Sequence, residues 1–151
     1  MTQKEMWQAY CEYANIKKDT PYDAFAFCGG GKIGDELAEL VLCGKKRATA
    51  SWYDSYICEG EALPSADGIS MVLYDNGDAA CIIKNTSVAV VPFYSVTERH
   101  ARLEGEGDLS LGYWRDVHTK VFSDECAEEG IEFLPDHSVV LEEFECVFPK
   151  K

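Results

Sequence analysis

Hydrophobic positions along the chain recur first at helical spacing. In "KEMWQAYCEYANI", Trp7, Cys11 and Ala14, with Tyr10 beside them, line one face while Lys and Glu take the other. That pattern predicts a docking helix over about residues 4–17. "DTPYDAFAFCGGGK" then breaks the period, because Pro21 and the run Gly29, Gly30 and Gly31 argue against regular structure. In "GDELAELVLCG" the period returns. Asp35 is the expected N-cap, Leu37, Leu40 and Val41 share a face, and Gly44 is the stop residue. "RATASWY", rich in small, β-branched and aromatic residues, predicts a strand directly after that helix end.

The pattern shifts to β in the middle of the chain. "GISMVLYDNGDAACIIKNTSVAVVPF" holds two apolar runs around Asn76 and Gly77, a hairpin signal, and a further strand is expected from Val88 to Val91. "SVTERHARLEGEGD" opens with Ser95 followed three residues later by Glu98, a capping-box pattern, and predicts a short helix that ends at its glycines. Trp114, Val117, Val121 and Phe122 fall at helical spacing, and "HSVVLEEFECVFP" closes the chain as a strand. The whole predicts an α+β fold of antiparallel strands with helices between them. Without repeats or linkers, residues 1–151 read as a single domain.

Composition narrows the partners. Fourteen Lys and Arg against 27 Asp and Glu give a net charge of −13, which argues against coating nucleic acid through bulk electrostatics and leaves a nucleoside or another small ligand open. Seven cysteines, an odd number without a C-x-x-C pair, read as reduced, buried small hydrophobes and not as a zinc site or a disulfide framework. No metal and no other cofactor is expected. The first residues lack the apolar core of a signal peptide, and no apolar stretch approaches bilayer-spanning length. The expectation is a cytoplasmic protein with no membrane partner.

Two stretches could carry chemistry, and each has a plainer reading. In "GKKRATAS", Lys46 and Thr49 stand three apart on the turn into the strand, where an amine can activate a hydroxyl; equally, Lys45, Lys46 and Arg47 suit a helix C-terminus. In "HARLEGEGD", His100 and Glu104 lie four apart on one helical face, with Glu106 and Asp108 in the glycine-rich loop beyond. Crowded carboxylates of this kind can do acid/base work if mutual repulsion raises their pKa values, or they can form a solvated acidic loop.

Taken in order, "GKKRATAS", "ERHARLEGEGD" and "YWRDVH" resemble the ASCH domain family over roughly residues 25–148, specifically its small bacterial single-domain members. The resemblance implies a PUA-like fold, a small β-barrel with flanking and inserted helices, and a link to RNA or nucleoside chemistry. One branch of the family hydrolyses the acetyl amide of N4-acetylcytidine with a lysine, a threonine three residues later and the glutamate of an H-A-x-x-E segment. In this sequence those positions are Lys46, Thr49 and Glu104; where that branch carries an arginine two residues after the threonine, Ser51 stands here.

The resemblance therefore implies an amidohydrolase. Lys46 accepts the Thr49 proton, Thr49 attacks the acyl carbonyl, and Glu104 passes a proton to the leaving amine. Around them, Trp114 would stack on a base, unless it is a core tryptophan. Arg115 or Ser51 would hydrogen-bond the base edge or a phosphate, and Glu106 and Asp108 complete the substrate-binding set. Another family member is a ribonuclease, so cleavage of single-stranded RNA is the second enzymatic reading, and a non-catalytic RNA-binding module is the third. A long RNA needs an extended basic track that this composition lacks, which ranks the nucleoside first.

Overall fold

The helical spacing around Trp7 is realised as α1, Gln3–Ala14, in a computed structural model that describes residues 1–150. Thr2 and Glu5 form a capping box at its start, and Asn15 ends it in the left-handed region, so the helix is shorter than the expected 4–17. The described residues pack as two compact units, each discontinuous in sequence. The first takes residues 1–47, 67–86 and the segment from Phe144 onward. There α1 buries Met6, Trp7, Tyr10 and Cys11 with Met71, Ala79 and Ile82. Burying side chains of this size contributes about 1.5–3 kcal/mol each.

A three-residue strand, β1 (Asp23–Phe25), pairs in parallel with β3 (Ile69–Leu73) in the same unit. The glycine run does not exclude regular structure, for α2 (Gly31–Leu42) begins inside it. Asp35 is one turn within that helix and is not its N-cap; its carboxylate accepts the Asp75 N–H at 2.7 Å. Leu37, Ala38 and Val41 of α2 join Phe27, Val72, Cys81 and Ile83 in a core cluster. Helix α2 stops before Gly44, whose φ of 82° is costly for residues with a Cβ. Asn76 and Gly77 turn β3 into β4 (Ala79–Pro92), as the hairpin signal predicts. Strand β4 is continuous, so Val88–Val91 is its second half and not a separate strand.

The second unit comprises residues 48–66 and 87–143. Strand β2 (Ala48–Trp52) runs antiparallel to β5 (Ser138–Phe148), and the short helix α3 (Tyr53–Glu59) follows β2 directly. Two further helices, α4 (Glu98–Glu104) and α5 (Leu111–Glu128), pack on each other, and α4 also packs on β2. Their apolar residues Ala101, Trp114, Phe122 and Cys126 form one cluster with Trp52, Phe93, Val96 and Val139. Helix α4 is capped by Thr97, which accepts the His100 N–H; Ser95, the expected cap, belongs to a 3-10 turn before it. The strand order of the five-stranded sheet is β1-β3-β4-β5-β2, which places β2 at one end of the order. Among the described residues, no helix is long and apolar enough to cross a membrane.

Candidate active site

Glu104 ends α4 and is only 2% exposed. A carboxylate at that depth requires hydrogen-bond donors or charge partners. One turn earlier on the same helix, His100 brings Nε2 to 2.7 Å from Oε2. Trp114 of α5 donates its indole N–H to the same oxygen. His118, one turn beyond Trp114, holds its Nε2 3.5 Å from Oε1. The other nitrogen of His118 lies 2.8 Å from the Trp114 carbonyl, and because a carbonyl only accepts, Nδ1 carries a proton. Two i,i+4 pairs on adjoining helices, His100 with Glu104 and Trp114 with His118, thus converge on one carboxyl group.

The loop after Glu104 explains the rest of the "EGEGD" stretch. Gly105 closes α4 in the left-handed region with φ 73°. Gly107, with φ 59°, passes under the Tyr113 ring, and a Cβ there would meet ring carbons at 2.4 Å. The Asp108 carboxylate accepts the Ser110 N–H at 2.9 Å, one step before Ser110 caps α5. Hydrogen bonds from the Ser110 hydroxyl and amide hold Asp108 below the usual carboxylate range, the opposite of the rise expected from mutual repulsion. Asp108 is exposed, and one of its oxygens is engaged at the helix start. Glu106 is half-buried, and its carbonyl accepts the Leu109 N–H.

Trp114 is the core tryptophan and not a stacking platform for a base. It is 3% exposed, with its ring stacked on His118 at 4.1 Å and on Phe93 at 5.3 Å between centroids. Its contribution to the site is the hydrogen bond to Glu104. Arg115, its neighbour on α5, is exposed.

In "GKKRATAS" the plain reading as a solvated helix end fits Lys45 and Arg47, which are exposed, but not Lys46, which is 2% exposed. Lysine is almost never buried to that extent without partners. Within the first unit, its Nζ lies 5.3 Å from the centroid of the Phe27 ring, a cation–π geometry. Three residues on and in the second unit, Thr49 is half-buried in β2. Ser51 shares a 2.8 Å hydrogen bond with the Tyr56 hydroxyl of α3. Burial, the largest influence, pushes the Tyr56 phenol up.

Residues 23–148 match the ASCH domain family. The chain belongs to that family. Crystal structures agree. An ASCH domain from Lactobacillus crispatus is 37% identical, with a TM-score of 0.84 over 95% of this chain and 94% of the other. A protein from Enterococcus faecalis is 32% identical, with a TM-score of 0.86 over 95% of this chain and 86% of the other. Nothing among curated proteins matches. The ASCH domain has a PUA-like fold often linked to RNA binding.

Two side chains that contact candidate residues of this ASCH domain, His118 on Glu104 and Tyr56 on Ser51, are not among those the sequence singles out. His118 was detectable through its four-residue spacing from Trp114 in "YWRDVH". Tyr56 was not, because it depends on α3, a helix of seven residues with none buried.

Proposed function

We propose that this ASCH domain is an amidohydrolase that removes the acyl group from an acylated nucleoside such as N4-acetylcytidine. The Thr49 hydroxyl adds to the acyl carbonyl carbon while its proton passes to the Lys46 amine. The carbon–nitrogen bond then breaks as Glu104 delivers a proton to the leaving amine, and water releases the acyl group from Thr49 as the carboxylic acid. The observation that carries this reading is the buried Glu104 carboxyl, oriented by His100, Trp114 and His118. Burial and several side-chain contacts on one carboxyl are what a positioned proton shuttle needs. The family-matched spacing of Lys46 and Thr49 supports their roles, as does the burial of Lys46.

The test is incubation of the pure protein with a panel of acylated cytidines and short single-stranded RNAs, read by mass. Loss of the acyl group with the RNAs intact is the expected result. Shortened RNA with intact acylcytidines would make the protein a ribonuclease. No change in either, with salt-dependent RNA binding, would make it a reader of RNA.

A further inference from the structure

Strand alternation divides the side chains of β2 between two faces. Trp52 sits in the apolar cluster with Ala101 and Trp114, and Ala50 packs against it, so Thr49 and Ser51 point to the opposite face. On that face the antiparallel register sets Glu142 of β5 directly across from Thr49. Side chains in such a pair have Cβ atoms about 4.5–5.5 Å apart. Two residues on, Ser51 is joined to the Tyr56 hydroxyl at 2.8 Å. Thr49, Ser51, Tyr56 and Glu142 are all half-buried, sheltered but reachable. Three charges bear on the Tyr56 phenol: Glu142 from β5, Glu61 from the segment after α3, and Glu125 from α5. All three are carboxylates.

We infer that Glu142, with Ser51 and Tyr56, is the specificity-determining group beside Thr49, taking the hydroxyl and amine donors of an uncharged nucleoside and rejecting its phosphorylated forms. This rests on the reading of Thr49 as a reacting residue. A carboxylate accepts hydrogen bonds from sugar hydroxyls and repels a phosphate dianion, and in a half-buried site neither effect is fully screened. Ser51 and Tyr56 can each donate or accept, so they add hydrogen-bonding capacity without positive charge. Discrimination here comes from repulsion of the wrong ligand as much as from attraction of the right one.

The deciding measurement is calorimetric binding of cytidine and cytidine 5′-monophosphate to the full chain, as wild type, Glu142→Gln, Tyr56→Phe and Ser51→Ala. Wild type should bind cytidine more tightly. Glu142→Gln should narrow that preference by on the order of tenfold, mainly by improving monophosphate binding. Tyr56→Phe and Ser51→Ala should weaken both ligands. Equal binding of the two ligands by wild type overturns the inference, as does a preference unchanged in Glu142→Gln with its thermal midpoint intact. Either failure leaves acyl hydrolysis standing if the mass assay detects it. Conversely, a nucleoside preference that depends on Glu142 in a protein without hydrolysis keeps the inference and removes the proposed reaction. Binding of neither ligand overturns the inference outright.

Discussion

Trp114 donates its indole N–H to Oε2 of Glu104, ten residues earlier and on the neighbouring helix. Because His100 contacts the same oxygen, the carboxyl group has little freedom to rotate. The sequence stretches "HARLE" and "YWRDVH" are thus two halves of one clamp. Each contributes an i,i+4 pair, and the contact between α4 and α5 brings the pairs together.

Removing the indole donor tests the clamp. Trp114→Phe keeps an aromatic ring against Phe93 and His118 but leaves Glu104 one donor short. The expected cost is about 1–3 kcal/mol of stability, the range for a buried acceptor that loses its partner, together with a fall in turnover. Denaturant unfolding of Trp114→Phe, Glu104→Gln and the double variant measures it. The double variant should cost less than the sum of the singles. Strict additivity would show that the two groups act independently.

Tyr74 gives the chain a pH dependence at the alkaline end. Its hydroxyl donates to Glu39 at 2.6 Å, and that bond, with burial behind it, pushes the phenol up to about 12. An unfolded tyrosine titrates near 10. The folded state therefore holds the proton more tightly, and the associated stability is fully present below pH 10 and lost as pH rises toward about 12. Urea unfolding from pH 9 upward should show this decline in wild type and a shallower one in Tyr74→Phe. Parallel curves would show that the Glu39 contact contributes nothing to the linkage.

Gly107 is needed for its missing side chain. An added methyl would meet the Tyr113 ring at 2.4 Å, and φ at 59° is left-handed. Left-handed backbone alone costs about 1–2 kcal/mol for residues with a Cβ. Gly107→Ala should lower the thermal midpoint, and the double variant Gly107→Ala, Tyr113→Ala should recover part of it. No recovery would mean that backbone strain accounts for the whole loss.

What was legible in the sequence was local. The Asn76-Gly77 hairpin depends on turn chemistry within a few residues, and α5 on periodicity sustained for five turns. Strand β1 was not legible, because three residues gain their structure from a parallel partner more than forty positions away. The site divided the same way. His100 and Glu104 share a helix, so their spacing announced the pair, whereas the role of Trp114 is decided by how α4 meets α5. Thr49 was found through a motif, but Glu142 across from it and Tyr56 beside Ser51 come from a strand register and a helix that carry no local signal.

Among the described residues, no group of three or more His, Cys, Asp or Glu side chains could hold a metal ion. His100, His118 and Glu104 are arranged around one carboxyl group and not around a shared open centre. The proposed reaction of Lys46, Thr49 and Glu104 routes no step through a metal, so turnover of an acylated cytidine should withstand prolonged EDTA treatment. Loss that a divalent ion restores would favour metal-assisted cleavage and send the search to another set of ligands.

The named roles separate through three substitutions. Lys46→Ala removes the proposed base and Glu104→Ala the proposed proton shuttle. Groups that act in proton transfer contribute on the order of a hundredfold to ten-thousandfold to rate, so each change should depress kcat by that much while altering KM little. Both residues are 2% exposed, so each variant also risks a folding loss, and the thermal midpoint must be followed in parallel. Glu104→Gln is the finer probe, because it keeps the size of the side chain and the acceptor for Trp114 but cannot exchange the proton. Lys45→Ala is the control: it removes the adjacent cation at an exposed position and should cost much less. Equal losses in Lys45→Ala and Lys46→Ala would mean that the basic turn acts as a diffuse electrostatic patch. A Glu104→Gln variant with full turnover would leave the buried carboxyl as a structural anchor between α4 and α5, and the proton shuttle would have to be sought on the face of β2 that carries Thr49 and lies across from Glu142.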